Sequence, residues 1–342
     1  MTHQLSPAGL KQALPILLDA GLTSFIEGPP GIGKSDVVAQ VAKERHGRNG
    51  ASADAWFRDL KPAQRDPVDF TGLPVPDMTR RVTDWLCPGF LPSEGEGVLF
   101  LDELTAAPPQ VQNVLLEFVL QRKVGDYRLP DGWSIVTAGN GTKDRAYAAT
   151  LGMAIANRLI HLEAIADLDD WCRWALDADL PIPLIAFLRF RPLLLHQFDP
   201  QSGEKAFPSP RSWASVGKIL AQRPPADLRL ALLRGAVGEA AAVELEAFLQ
   251  IYQALPSIDQ VLADPDGTPV PGSTDPAARY AIAAALTERA SAQNIQPIAI
   301  YASRLPAELA GMVMLGSVRR DPAIRNTRPF IAWAADNGEL MI

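Results

Sequence analysis

Cysteine and histidine are scarce in this chain. Cys87 and Cys172 lie far apart without C-x-x-C spacing, and His3, His46, His161 and His196 do not cluster, so a metal site built from these residues is not expected. No apolar run approaches the ~20 residues that span a bilayer. The opening MTHQLSPAGLKQ has none of the basic, apolar and small-residue segments of a signal peptide. A cytoplasmic protein without membrane insertion is the expectation. Positive charge is also short: the formal net charge is -7, which argues against a broad electrostatic grip on nucleic acid.

What is present is ample apolar material. With 342 residues, 47% of them hydrophobic, the chain can fill the cores of two domains, or of one large domain with a lid. A first helix is expected around Leu10 to Leu18, with Ser6 as N-cap, Pro7 at its first position, Pro15 as a kink and Gly21 as its stop. TSFIE (23–27), AWFRDL (55–60), VLFLDEL (98–104), WSIVTAGN (133–140) and IHLEA (160–164) read as five strands, with SDVVAQVAKERHG, PPQVQNVLLEFVLQ and ATLGMAIANRL as helices among them. Such alternation predicts a parallel sheet with helices on both faces. Residues 61–97 are rich in Pro and Gly, have no sustained period and are too long for an ordinary connector. After about residue 165 the strand signal gives way to Leu/Ala-rich helical segments, and a polar stretch at 264–276 precedes a last helical piece.

The chemistry begins at IEGPPGIGKSD. Gly28, Gly33, Lys34 and Ser35 match G-x-x-x-x-G-K-[ST], between a strand and a helix. In this pattern glycines turn backbone N–H groups toward an anion, Lys34 gives a point charge to the β and γ phosphates, and the Ser35 hydroxyl can coordinate Mg²⁺. The residues from Gly28 through Pro29, Pro30, Gly31, Ile32, Gly33, Lys34, Ser35 and Asp36 are the candidate nucleotide-binding set. VLFLDEL delivers Asp102 and Glu103 to the C-terminal end of an apolar strand, the edge where open α/β sheets bind ligands. There Asp102 would hold Mg²⁺ and Glu103 would polarise an attacking water; alone, such a pair is commonly a solvated strand end. Asn140 can hydrogen-bond that water or serve as a turn residue before Gly141. Arg158 and Arg211 can neutralise charge on a transferring phosphoryl group or form local salt bridges.

Taken in chain order, these elements resemble the AAA+ ATPases over roughly residues 1–255. LDELTAAPPQVQNVLLEFVLQRKV is similar to the MoxR and dynein-related branch. Asn140-Gly141 and Asn157-Arg158-Leu159 stand where MoxR proteins typically have Asn-Pro and Asp-Arg-Phe, which makes a neighbouring subgroup the reading. The resemblance implies a P-loop NTPase core with a parallel five-stranded sheet at 1–165, carrying an insertion at about 61–97. An α-helical lid at 166–256 and a helical extension at 257–342 would follow. It implies ATP and Mg²⁺ as cofactors, Asn140 as sensor 1, Arg158 as an arginine finger acting on a neighbouring subunit, and Arg211 as sensor 2. A finger acting in trans implies a homo-oligomeric ring, usually a hexamer. Phe70, Trp85 and Phe90 in the insertion would face the pore or a partner, or else pack onto their own domain.

The function implied is a chaperone-like remodeller or assembly factor for a protein client, and by the family's habits that client carries a von Willebrand A domain. The alternative is a motor on nucleic acid, for which Arg80, Arg81, Arg319 and Arg320 are the only basic candidates. A phosphotransferase is a third reading, although the Asp-Glu pair suits water activation better.

Overall fold

The computed structural model describes residues 4–47, 52–141, 157–253, 255, 257–272 and 274–337. The chain divides into two compact units, Met1–Asp167 with Phe198–Gly203, and Leu168–Gln197 with Glu204–Ile342. In chain order the strands described are β1 (Gln4–Leu5), β2 (Ser24–Glu27), β3 (Phe57–Leu60), β4 (Leu73–Asp77), β5 (Val82–Leu86), β6 (Glu96–Leu101), β7 (Lys123–Val124), β8 (Tyr127–Arg128), β9 (Gly132–Gly139) and β10 (Ile160–Ala164). The helices of the first unit are α1 (Pro7–Asp19), α2 (Lys34–His46), α3 (Pro67–Thr71) and α4 (Pro109–Gln121).

The main sheet is parallel throughout, in the order β1-β10-β2-β9-β6-β3. All five expected strands are present, and the α/β class holds. A sixth, β1, adds to the edge by pairing Gln4 with Glu163 and Leu5 with Ala164; two residues are too few to show a period of two. The sheet is apolar on both faces because both are covered, as parallel sheets require. Ile26, Val98, Phe100, Val136 and Ala138 pack under Leu10, Leu14 and Leu18 of α1 and Val37, Val38 and Val41 of α2. The alternate residues Phe25, Leu99, Leu101 and Ile135 pack with Val111, Leu115 and Phe118 of α4. Ser6 caps α1 as expected, accepting from the Gly9 N–H at 3.3 Å.

The insertion is not simply irregular. It contains α3 and an antiparallel hairpin, β4 with β5, whose prolines and charges hide strand alternation in the sequence. Phe70 is fully buried and Phe90 meets it edge to face at 5.7 Å, so these two aromatics pack onto their own domain. The helix expected across ATLGMAIANRL lies mostly outside the described residues, and Asn157-Arg158 forms a turn before β10.

The second unit is helical among its described residues: α5 (Leu168–Asp177), α6 (Ile182–Phe190), α7 (Pro210–Ala221), α8 (Ala226–Val237), α9 (Glu239–Gln253), α10 (Ile258–Ala263), α11 (Pro276–Arg289), α12 (Ile295–Ala302), α13 (Ala307–Arg320) and α14 (Arg328–Asp336). Trp213 is fully buried there, and its indole N–H donates to the Leu194 carbonyl at 2.7 Å. Helix α11 packs against α6 and α9, so helices from both sides of residue 257 share one packed body. No described helix is long and apolar enough to cross a membrane.

At Gly97 strand β6 lies close against the backbone entering β3. A Cβ there would stand 2.3 Å from the Trp56 carbonyl oxygen, the same oxygen that accepts the Val98 N–H at 2.9 Å. Gly97→Ala is therefore expected to lower stability by about 1–3 kcal/mol, measured by denaturant unfolding.

Candidate functional site

Strand β2 ends at Glu27, and the Gly28 N–H donates to the Gly139 carbonyl at 3.4 Å, at the end of β9. A Cβ on Gly28 would lie 2.5 Å from the Ala164 carbonyl oxygen, so the loop leaves the sheet through a gap that only glycine fits. Ile32 is buried with Ile26, Val37 and Val38 and anchors the loop's far side. Gly31 and Gly33 have φ of 80° and 92°, left-handed values that favour glycine. Gly33 is the N-cap of α2, and no side chain caps it. The first-turn N–H groups lie at the positive end of the helix dipole, where an anion is favoured. Asp36, in that first turn, is exposed.

Lys34 is only 9% exposed, and its Nζ donates to the carbonyls of Gly28 at 2.6 Å and Pro29 at 2.9 Å. The ammonium is thereby held inside the concavity of the loop. Ser35 Oγ donates to Asp102 Oδ2 at 2.8 Å. Asp102 follows β6, keeps one more sheet bond from its N–H to the Leu60 carbonyl at 2.8 Å, and is 9% exposed. Its other oxygen accepts the Glu103 N–H at 2.9 Å. Glu103 itself has φ 56°, uncommon for a residue with a side chain. That left-handed turn ends the strand direction abruptly and leaves Glu103 exposed beside a buried aspartate. Backbone of this kind concentrates at functional sites.

Asn140, just past β9, donates its N–H to Thr105 Oγ1 at 3.2 Å. A Cβ on Gly139 would meet the same oxygen at 2.7 Å and Phe25 Cζ at 2.9 Å, so Thr105 closes tightly over the end of β9. Thr105 carries no motif signature in the sequence. The structure thus brings Gly28 to Ser35, Asp102, Glu103 and Asn140 to one edge of one sheet.

Arg158 is not at that edge. Arg158 is exposed in the turn before β10. Because Ile160 pairs with Ser24 in parallel, β10 begins at the opposite edge, about 13 Å below Gly28 at the usual strand rise. Arg211 belongs to the second unit, in the first turn of α7, exposed and behind the Ser209–Ser212 capping box. Of the basic candidates for a nucleic-acid track, Arg80 is engaged by Asp77, at 2.7 Å, and by Asp84.

A further carboxylate joins the edge. Asp59 of β3 is raised above its ordinary pKa, first by burial and next by the Asp102 carboxylate; Lys61 opposes the rise and Glu103 adds to it. AWFRDL shows the strand, but only the parallel pairing with β6 puts Asp59 near Asp102.

The donor set suits a nucleotide with a hard cation. The loop presents N–H groups and an ammonium, while the Ser35 hydroxyl and the Asp102 carboxylate offer hard oxygen ligands side by side. No protein-family model and no curated protein matches this sequence. Among solved structures, a point mutant of RuvB from Thermotoga maritima is similar at a TM-score of 0.38 and 16% identity, covering 75% of this chain and 74% of that one. NtrX from Brucella abortus in complex with ADP is similar at 0.35 and 15%, covering 97% of this chain and 68% of that one. Likenesses this partial carry no argument about activity.

Asp59 yields a pH test. A folded-state pKa above the unfolded value gives a contribution that is complete below the unfolded value and is lost as pH rises through the folded one. Ionised Asp59 therefore weighs against the fold at neutral pH. Asp59→Asn should raise Tm at pH 7, with the gain disappearing below about pH 3.9, followed by thermal unfolding across pH.

Proposed function

We propose that this chain is a Mg²⁺-dependent ATPase of the AAA+ type, neighbouring the MoxR proteins, that works as a ring oligomer on a protein client. The observation that carries the proposal is the 2.8 Å hydrogen bond from Ser35 to Asp102, because it joins the phosphate-loop helix to the acidic strand end. Neutralising charge on the β and γ phosphates is the chemistry that Mg²⁺ supplies when bound. Lys34 and the loop N–H groups bind the phosphates. Ser35 and Asp102 hold the cation. Glu103, left exposed by its turn, takes the proton of the attacking water, and Asn140 orients that water. In this reading Arg211 approaches the nucleotide from the lid of its own subunit.

The placement of Arg158 at the far edge of its own sheet supports the role of a finger offered to a neighbouring subunit. The ring, its hexameric size and a client with a von Willebrand A domain rest on the sequence resemblance. The acidic net charge and the ion pairs of Arg80 favour a protein client over nucleic acid.

Two outcomes test the reading. Lys34→Ala should weaken ATP binding about tenfold or more, the scale of a lost charged hydrogen bond, whereas Glu103→Gln should keep affinity and lose roughly 10²–10⁴ in turnover. Equilibrium binding and phosphate release measure the two; an unaltered rate in Glu103→Gln refutes the assignment. Mixing Arg158→Ala with Lys34→Ala subunits should restore part of the lost activity, since one interface then pairs an intact loop with an intact finger. Absence of rescue in exchanging mixtures would count against action in trans.

A further inference from the structure

The β4–β5 hairpin is exposed along its whole length on both faces, apart from a half-buried Asp77. Leu73 is 67% exposed, Met78 83% and Leu86 62%, with Val75, Val82 and Trp85 also open. A two-stranded hairpin of this kind is marginal by itself and gains independent stability from a third strand. The backbone tells which side is open.

The cross-strand pairs are Leu73 with Leu86, Pro74 with Trp85, Val75 with Asp84, Pro76 with Thr83 and Asp77 with Val82. In an antiparallel pair, alternate couples exchange both N–H···O bonds. Pro74 and Pro76 have no N–H, so the bonded couples must be 73/86, 75/84 and 77/82. Residues 74 and 76 then face outward on β4, and Thr83 and Trp85 face outward on β5. The two edges are unlike. That of β4 is blocked by prolines, a usual defence against strand addition. That of β5 keeps the N–H and C=O of both Thr83 and Trp85 directed away from the hairpin.

We propose that the outer edge of β5 docks an extended segment of a partner protein, which joins the hairpin as a third strand. An edge of this kind selects a strand, because main-chain bonds supply the affinity and alternate side chains the specificity. On one face the added strand meets Val82, Asp84 and Leu86, and on the other Thr83 and Trp85, so apolar residues at every second position pack together on one of these faces. The tip offers little net charge to repel it, since Arg80 is paired with both Asp77 and Asp84. A second copy of β5 suits the edge less well: the antiparallel register that uses all four outward groups sets Asp84 opposite Asp84, and like charges in that position destabilise. The inference does not depend on the nucleotide reading.

The test uses the full chain and a phage-displayed library of random peptides about ten residues long, enough for one strand. Enriched peptides should show apolar residues at every second position. Their binding should slow amide exchange at Thr83 and Trp85 and leave Val75 unchanged. Thr83→Pro removes an outward N–H without touching the hairpin's own bonds and should weaken binding about fivefold, whereas Pro76→Thr should not weaken it. If Thr83→Pro fails to fold, Leu86→Lys and the exchange pattern of the unaltered chain decide the matter. Lack of enrichment, a helical spacing in the selected peptides, or protection elsewhere on the chain overturns the proposal. So does self-association that Thr83→Pro abolishes when no peptide binds, since a second copy is then the occupant.

Discussion

The hydrogen bond from Ser35 to Asp102 organises the first unit. These residues stand above strands that are not neighbours: β9 lies between β2 and β6, so the reach is about two strand spacings, or roughly 9.6 Å. It closes at 2.8 Å only because the loop rises from Gly28 and starts α2 over the end of β9. That path requires left-handed backbone at Gly31 and Gly33, and it requires Gly28 and Gly139 to lack side chains where the Ala164 carbonyl and Thr105 press in. Four glycines thus serve one contact, two by conformation and two by close approach.

The same edge gathers negative charge. Asp59, Asp102 and Glu103 end two adjacent strands, and the rise in the Asp59 pKa is partly the repulsion among them. Such an arrangement costs stability and is tolerated where a cation balances it during function. Asp102 is the least free of the three: both its oxygens accept hydrogen bonds, from Ser35 and from the Glu103 backbone. Glu103 is turned outward by its own φ. One strand end therefore presents a fixed carboxylate and an exposed one, which fits a division into a cation holder and a base.

Much of this was legible in the residues. VLFL is apolar at every position because β6 is buried on both faces, and GPPGIGKS carries its turns in its glycines. Other parts needed the third dimension. Nothing near Thr105 in sequence announces that its hydroxyl will accept the Asn140 N–H, since the two meet only through the adjacency of β6 and β9. Asp59 became part of the edge by its register with β6. For Phe70 and Phe90, in a segment without periodicity, the residues left contact and own-domain packing equally open, and both join the cluster around Phe118. Short elements escaped as well, because a two-residue strand and a proline-rich hairpin show no period of two.

Site and hairpin lie in one unit but are stabilised by different means. The loop, Asp102 and Asn140 are held by contacts into the sheet core, so a single added methyl group at Gly28 or Gly139 must displace backbone or Thr105. The hairpin has no such surroundings. Its exposed apolar residues stabilise little against solvent, and its strands keep their register through their own hydrogen bonds and the Arg80 bridge between Asp77 and Asp84. Substitutions at its outward positions can therefore alter its surface while the edge at Ser35 and Asp102 remains intact. If the edge carries the chemistry and the hairpin the recognition, as proposed, the two can change independently, because they are stabilised by different contacts.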